Sequence, residues 1–162
     1  MSDFEKATGE VNKVLTDYED MMKKVQETLQ EKMKDIFSAF FNTHPEVKTI
    51  HWTQYAPHFN DGDECIFSVN KPYFTTLEYD ELTDRSDAWG EDAGVIETRK
   101  WDSKKRKYVD NDIAPALIAD MNTLTNILQS DANEGVMRAM FDTSVWVKAH
   151  RGGFDVDDFD HD

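Results

Sequence analysis

Only one cysteine, Cys65, occurs in the 162 residues, so no intramolecular disulfide can form and the fold must hold without cross-links. Basic charge is scarce: 18 Lys and Arg stand against 33 Asp and Glu, giving a net charge of −15. Such a chain repels phosphate backbones, which disfavours ordinary DNA or RNA binding. Apolar runs are short throughout, far below the ~20 residues that a membrane helix needs, so no bilayer span is expected. The start, MSDFEKATGEV, has no basic-then-apolar leader, and the expected setting is cytoplasmic. Catalytic signatures are missing as well, with no phosphate-cradling glycine loop, no CxxC pair and no Ser/His/Asp order. No cofactor is called for.

Apolar residues make up 39% of the chain and aromatics 12%, too much for a disordered polymer of this charge. One domain is the default at this length. Residues 1–43 predict a long helix, because Val11, Leu15, Tyr18, Met22, Val25, Leu29, Met33, Ile36 and Phe40 recur three or four apart. Ser2 and Glu5 form a capping box, and Asn42 to Pro45 supply the stop. Unbroken, that helix is longer than a domain of this size is wide. Either it breaks near Gly9 or its stripe packs on a second copy, a homodimer, or on another partner. Leu15, Met22, Leu29, Ile36 and Phe40 are expected to be buried against the sheet or another subunit.

From Pro45 the period becomes that of strands and hairpins, over residues 44–109. Strands are expected at 47–55, 65–74 and 73–79, then a surface loop at 82–94, then a hairpin pairing 95–101 with 105–109. Helices are expected at 112–129, with Asp112 as N-cap, and at 131–141. A last hairpin and an acidic tail occupy 143–162, with residues 157–162 readable as strand or as free tail. The predicted class is α+β: a mainly antiparallel sheet with the long N-terminal helix and two further helices packed on one face.

The stretch IHWTQYAPHFNDGDECIFSVN (50–70), following a helix that ends FFNTHPEVK, and the terminal FDVDDFDHD resemble a family of small uncharacterised bacteriophage and prophage proteins. W-T-Q-Y and F-N-D-G-D are the specific part of the likeness. The resemblance implies a phage source and a role inside an infected bacterium, in the host bacterial cytoplasm, and it assigns no catalytic residue.

Several constellations have both a chemical and a structural reading. His51, His58, Asp61 and Asp63 surround one hairpin loop and could ligate a divalent metal. The loop fails the calcium pattern, however, and Asn60, Asp61 and Gly62 suit an ordinary turn. His51-Trp52-Thr53 matches half of a two-histidine phosphoesterase signature whose second copy is missing. Cys65 alternates with Phe67 and Val69 and reads as a buried, inert thiol. Trp52 and Phe67 read as core residues. The cations of 99–107 read as a solvated edge, and they could neutralise the acids just upstream.

Charge is concentrated at residues 78–97, which hold eight acids and one base. Candidate partner-binding residues are therefore Asp84, Asp87, Trp89, Glu91 and Asp92, with Asp157, Asp158 and Phe159 as a second group. The expected function is a non-catalytic acidic protein that binds a host protein with a basic surface and inhibits or redirects it, a defence or nucleic-acid-handling enzyme being the kind of target that fits. The competing expectation is a small metal-assisted enzyme or ligand-binding domain with its pocket near residues 50–64.

Overall fold

A computed structural model of the chain describes residues 2–56, 66–91 and 94–159. Helix α1 runs Asp3–Thr43 without a break at Gly9. The Ser2 side chain accepts from the Glu5 backbone N–H at 3.2 Å, as the capping box predicts. At the other end Arg151 donates to the Phe41 carbonyl at 2.8 Å, satisfying one of the carbonyls that a helix terminus leaves without a partner.

Strand β1 (Thr49–Tyr55) is central to an antiparallel sheet. One of its edges takes β3 (Tyr73–Thr75) beside Thr49 to His51 and β2 (Ser68–Val69) beside Gln54 and Tyr55. Its other edge pairs with β6 (Val145–His150), which pairs outward with β7 (Gly153–Asp158). The expected strand at 65–74 is thus split, since Pro72 has no N–H to give to a ladder and Asn70 turns its amide to the Thr53 hydroxyl at 2.8 Å. The third strand stops at Thr75, where a 3-10 turn at Tyr79–Glu81 follows. The middle hairpin is shorter than expected: β4 (Arg99–Asp102) and β5 (Lys107–Asp110) form a separate two-stranded sheet, and Val95 contributes one bridge to Thr75.

Helices α2 (Pro115–Leu128) and α3 (Glu134–Phe141) complete the α+β architecture. Asp112 is not the N-cap. That place is held by Ala114, because Pro115 fits the first helical position and holds its predecessor in an extended conformation.

The two faces of the sheet are covered differently. Ile50, Trp52, Val145, Val147 and Ala149 face the helices and join Met33, Phe37, Phe41, Leu124, Leu128 and Met137 in the main core. Trp52 has no exposed surface; it stacks on Phe37 at 5.7 Å, meets Phe141 edge-on at 5.6 Å and donates to Gln54 Oε1 at 3.1 Å. Gln54 in turn donates to the carbonyls of Met137 and Asp142. The opposite face carries Thr49, His51 and Thr53, all buried, under the segment from Leu77 to Trp89.

Only the last part of α1 belongs to this core. Met33, Phe37, Phe40 and Phe41 are buried and Ile36 is half-buried, whereas Leu15, Met22 and Leu29 are exposed, so those three do not pack on the sheet. No helix among the described residues is long and apolar enough to cross a membrane.

Candidate functional site

The second face of the sheet gathers what the sequence holds far apart. In β6 and β7 the register sets Trp146 opposite Asp157 and Lys148 opposite Asp155, all directed away from the helical core. Above them a second apolar cluster forms from Leu82, Ala88, Trp146 and Phe159. A surface hollow of about 480 Å³ opens beside this cluster, lined by Thr83, Arg85, Ala88, Trp146, Lys148, Asp157, Asp158 and Phe159.

A turn positioned by backbone chemistry forms one wall. The Asp87 carboxylate accepts from the backbone N–H groups of Thr83 and Asp84, both at 3.1 Å, and so closes the loop into a 3-10 turn at Asp87–Trp89. Gly90 ends it at φ +77°, and a Cβ there would lie 2.3 Å from the Tyr73 ring, so this position needs glycine for both reasons.

Lys148 is the buried cation of the site. Its ammonium donates to the Leu82 carbonyl at 2.6 Å, lies 3.1 Å from Asp157 Oδ2 and stands 4.1 Å over the Trp146 ring. These three partners offset the cost of removing the charge from water. Beneath it His51 is wholly buried, and Trp146 Nε1 donates to His51 Nδ1 at 3.1 Å. Burial foremost, then the Lys148 charge, lowers the His51 pKa to about 4, with the Asp87 carboxylate opposing. The imidazole is therefore neutral at pH 7, with its proton on Nε2, which has no hydrogen-bond partner among the described residues.

That tautomer bears on the metal expectation. A metal at Nε2 requires the proton on Nδ1, where it would face the Trp146 N–H, two donors pointed at each other. Among the described residues no three His, Cys, Asp or Glu side chains cluster as a metal site requires. His58, Asp61 and Asp63 lie outside the described residues, as does Cys65.

The candidate binding residues divide by their surroundings. Asp84, Glu91, Asp157 and Asp158 are exposed, and Trp89 is 41% exposed with its ring 5.7 Å from that of Phe159. Phe159 itself is buried, with the Arg85 guanidinium 5.5 Å from its ring centre, so it supports the surface instead of projecting from it. Asp87 is half-buried and shapes its own turn. Asp92 lies outside the described residues. Asp157 and Asp158 belong to β7, which decides for strand over free tail at those two positions. Sequence reasoning missed Trp146, Lys148 and Arg85, and the alternation of Trp146 and Lys148 with Val145, Val147 and Ala149 was the available signal. Among the cations of 99–107, Arg99 lies 3.6 Å from Asp110 of its own hairpin.

Comparison with protein-family models, with curated proteins and with solved structures finds no match to this chain.

Proposed function

We propose that the protein is a non-catalytic binding protein that sets the acidic, aromatic face around Trp89 against a cationic surface of a host protein and thereby inhibits or redirects it. The observation that carries this reading is the meeting of two acidic segments about one aromatic pair. Trp89 and Phe159, 70 positions apart, have ring centres 5.7 Å from each other, with Asp84, Glu91, Asp157 and Asp158 exposed around them. A half-exposed tryptophan with four exposed acids about it, and Arg85 beside Phe159, has the composition of an interface anchor, the ring supplying desolvated area and the acids steering approach. The phage resemblance supports a target inside an infected bacterium.

The test begins with a host protein retained from lysate by the wild-type chain and then purified. Its association rate should fall steeply as salt is raised, because the screening length shrinks from ~10 Å at 0.1 M to ~3 Å at 1 M. The double variant Asp84→Lys, Glu91→Lys should slow association by about 10-fold or more, and Trp89→Ala should act mainly by speeding dissociation. A partner that binds all three proteins with unchanged rates overturns the proposal.

A further inference from the structure

From residue 4 to residue 29 seven of the exposed apolar positions of α1 follow a seven-residue repeat. Phe4, Val11, Tyr18 and Val25 form one row, and Leu15, Met22 and Leu29, with the polar Thr8 at their head, form the other, with steps alternating four and three; Val14 and Met21, also exposed, flank the seam. The average period, 3.5, is that of a helix whose seam follows another helix, since a lone straight helix repeats every 3.6 residues. After Leu29 the alternation fails: the next core residue is Met33, a second successive step of four. The change of phase falls where α1 passes from open solvent into the globular core, so one helix carries two stripes for two different partners.

We propose that residues 4–29 pair with the same segment of a second copy as an antiparallel coiled coil. The apolar supply is sufficient. Nine large hydrophobic side chains of this segment are between 37% and 80% exposed, including Phe4 at 80%. At roughly 150–250 Å² for the larger of them, they leave on the order of 1,000 Å² open per protomer, against about 800 Å² for a standard stable interface. Among the described residues nothing buries the apolar side chains of this stretch, about 38 Å long at 1.5 Å per residue, and helices without tertiary partners are marginal in water.

Orientation follows from charge and from fit. A parallel pair would hold two globular bodies, in a chain of net −15, side by side, whereas an antiparallel pair sets them at opposite ends, beyond several screening lengths. In the antiparallel register, residues whose numbers sum to 33 face each other. Leu15 then meets Tyr18 of the partner subunit, Met22 meets the partner's Val11, and Leu29 meets the partner's Phe4. Beside the seam the positions that lie across from each other are offset by two, their numbers summing to 31, which sets Glu5 across from the partner's Gln26 and Glu19 across from the partner's Asn12, a carboxylate against an amide each time. The end of the seam is also shaped for it. A hollow of about 410 Å³ lies between Met22, Val25 and Leu29 of α1 and Ala132, Gly135 and Val136 beside it, where the partner's Phe4 arrives. Gly135 has no neighbour within 4 Å of where a Cβ would be, so the floor is open. A membrane surface fits the segment less well, because residues 3–29 carry seven acids and four bases.

Sedimentation equilibrium of the full chain at about 50 µM should give twice the 18.8 kDa of one copy. Leu15→Glu, at a position exposed in the single chain, should weaken association by about 100-fold or more, since a dimer would bury two unpaired charges. Glu10→Gln, off the seam, should change nothing and guards against a general effect of altering α1. For orientation, Thr8→Cys and Val25→Cys proteins are oxidised singly and mixed, and the bridge is mapped by mass spectrometry. A bridge between Cys at 8 and Cys at 25 in the mixture alone supports the antiparallel seam, and bridges within each single variant overturn it. A chain that stays monomeric at this concentration overturns the proposal, whether or not α1 then adsorbs to anionic vesicles or to a helix of another protein.

Discussion

Acidification should unfold this protein earlier than its carboxylates alone require, because His51 must stay neutral to stay buried. Its folded pKa of about 4 lies below the ordinary 6.5, so between those values the unfolded chain binds a proton that the folded chain does not. Stability from this group is present above pH 6.5, falls as the pH drops, and is gone below about 4. A shift from 6.5 to about 4 corresponds to about 3 kcal/mol in full, at 1.36 kcal/mol per unit, and about 2 kcal/mol of it is lost between pH 7 and pH 5. Urea unfolding at those two pH values, for wild type and His51→Gln, isolates the effect. His44 and His150, paired with Asp120 and Asp155, are common to both proteins and cancel. Wild type should lose about 2 kcal/mol more than the variant over this interval. Lys148→Met provides a second arm: removing the cation that helps depress the His51 pKa should move its NMR titration midpoint upward. Equal losses in wild type and His51→Gln would refute the assignment, and an unmoved midpoint in Lys148→Met would refute the role of that charge.

Trp52→Ala should lower stability by about 3–5 kcal/mol in chemical denaturation, because it opens a cavity between Phe37 and Phe141 and takes the donor from Gln54 Oε1; a loss below about 1 kcal/mol would mean the ring is not core. Gly90→Ala should cost about 1–3 kcal/mol through its left-handed backbone and its collision with Tyr73, and in the same protein the affinity for a host partner should fall as the Trp89 turn shifts; a neutral substitution would show that the turn is not held against Tyr73.

Elements written in local pattern were readable from the chain. The three-four spacing of α1, the Ser2 capping box, the final hairpin and the burial of Trp52 and Phe67 follow from side-chain periodicity and hydropathy, which act between near neighbours in sequence. Local signals also misplaced boundaries where one residue prevailed, as at Pro72, which splits a strand, and at Pro115, which moves the start of α2 past Asp112. The same spacing that made α1 certain could not say what covers it, because an apolar stripe looks alike whether it faces a sheet, another subunit or water. Only the packed fold separates Met33 to Phe41, which meet the sheet, from Phe4 to Leu29, which do not.

The candidate site was legible as two acidic segments and a tryptophan but not as one place. Their meeting depends on β6 and β7 carrying residues 157–159 beneath the turn at Asp87–Trp89, a contact between residues some 70 apart that no short-range pattern encodes. Burial of polar His51 and Lys148 was likewise decided by tertiary structure, because a strand covered on both faces does not show the polar-out alternation that marks a solvent-facing one. Sequence determined the charge, the class of fold and the two acidic segments. The register of the central strands decided which of their residues share a surface, because register is fixed by pairing between distant segments and not by the chain next to them.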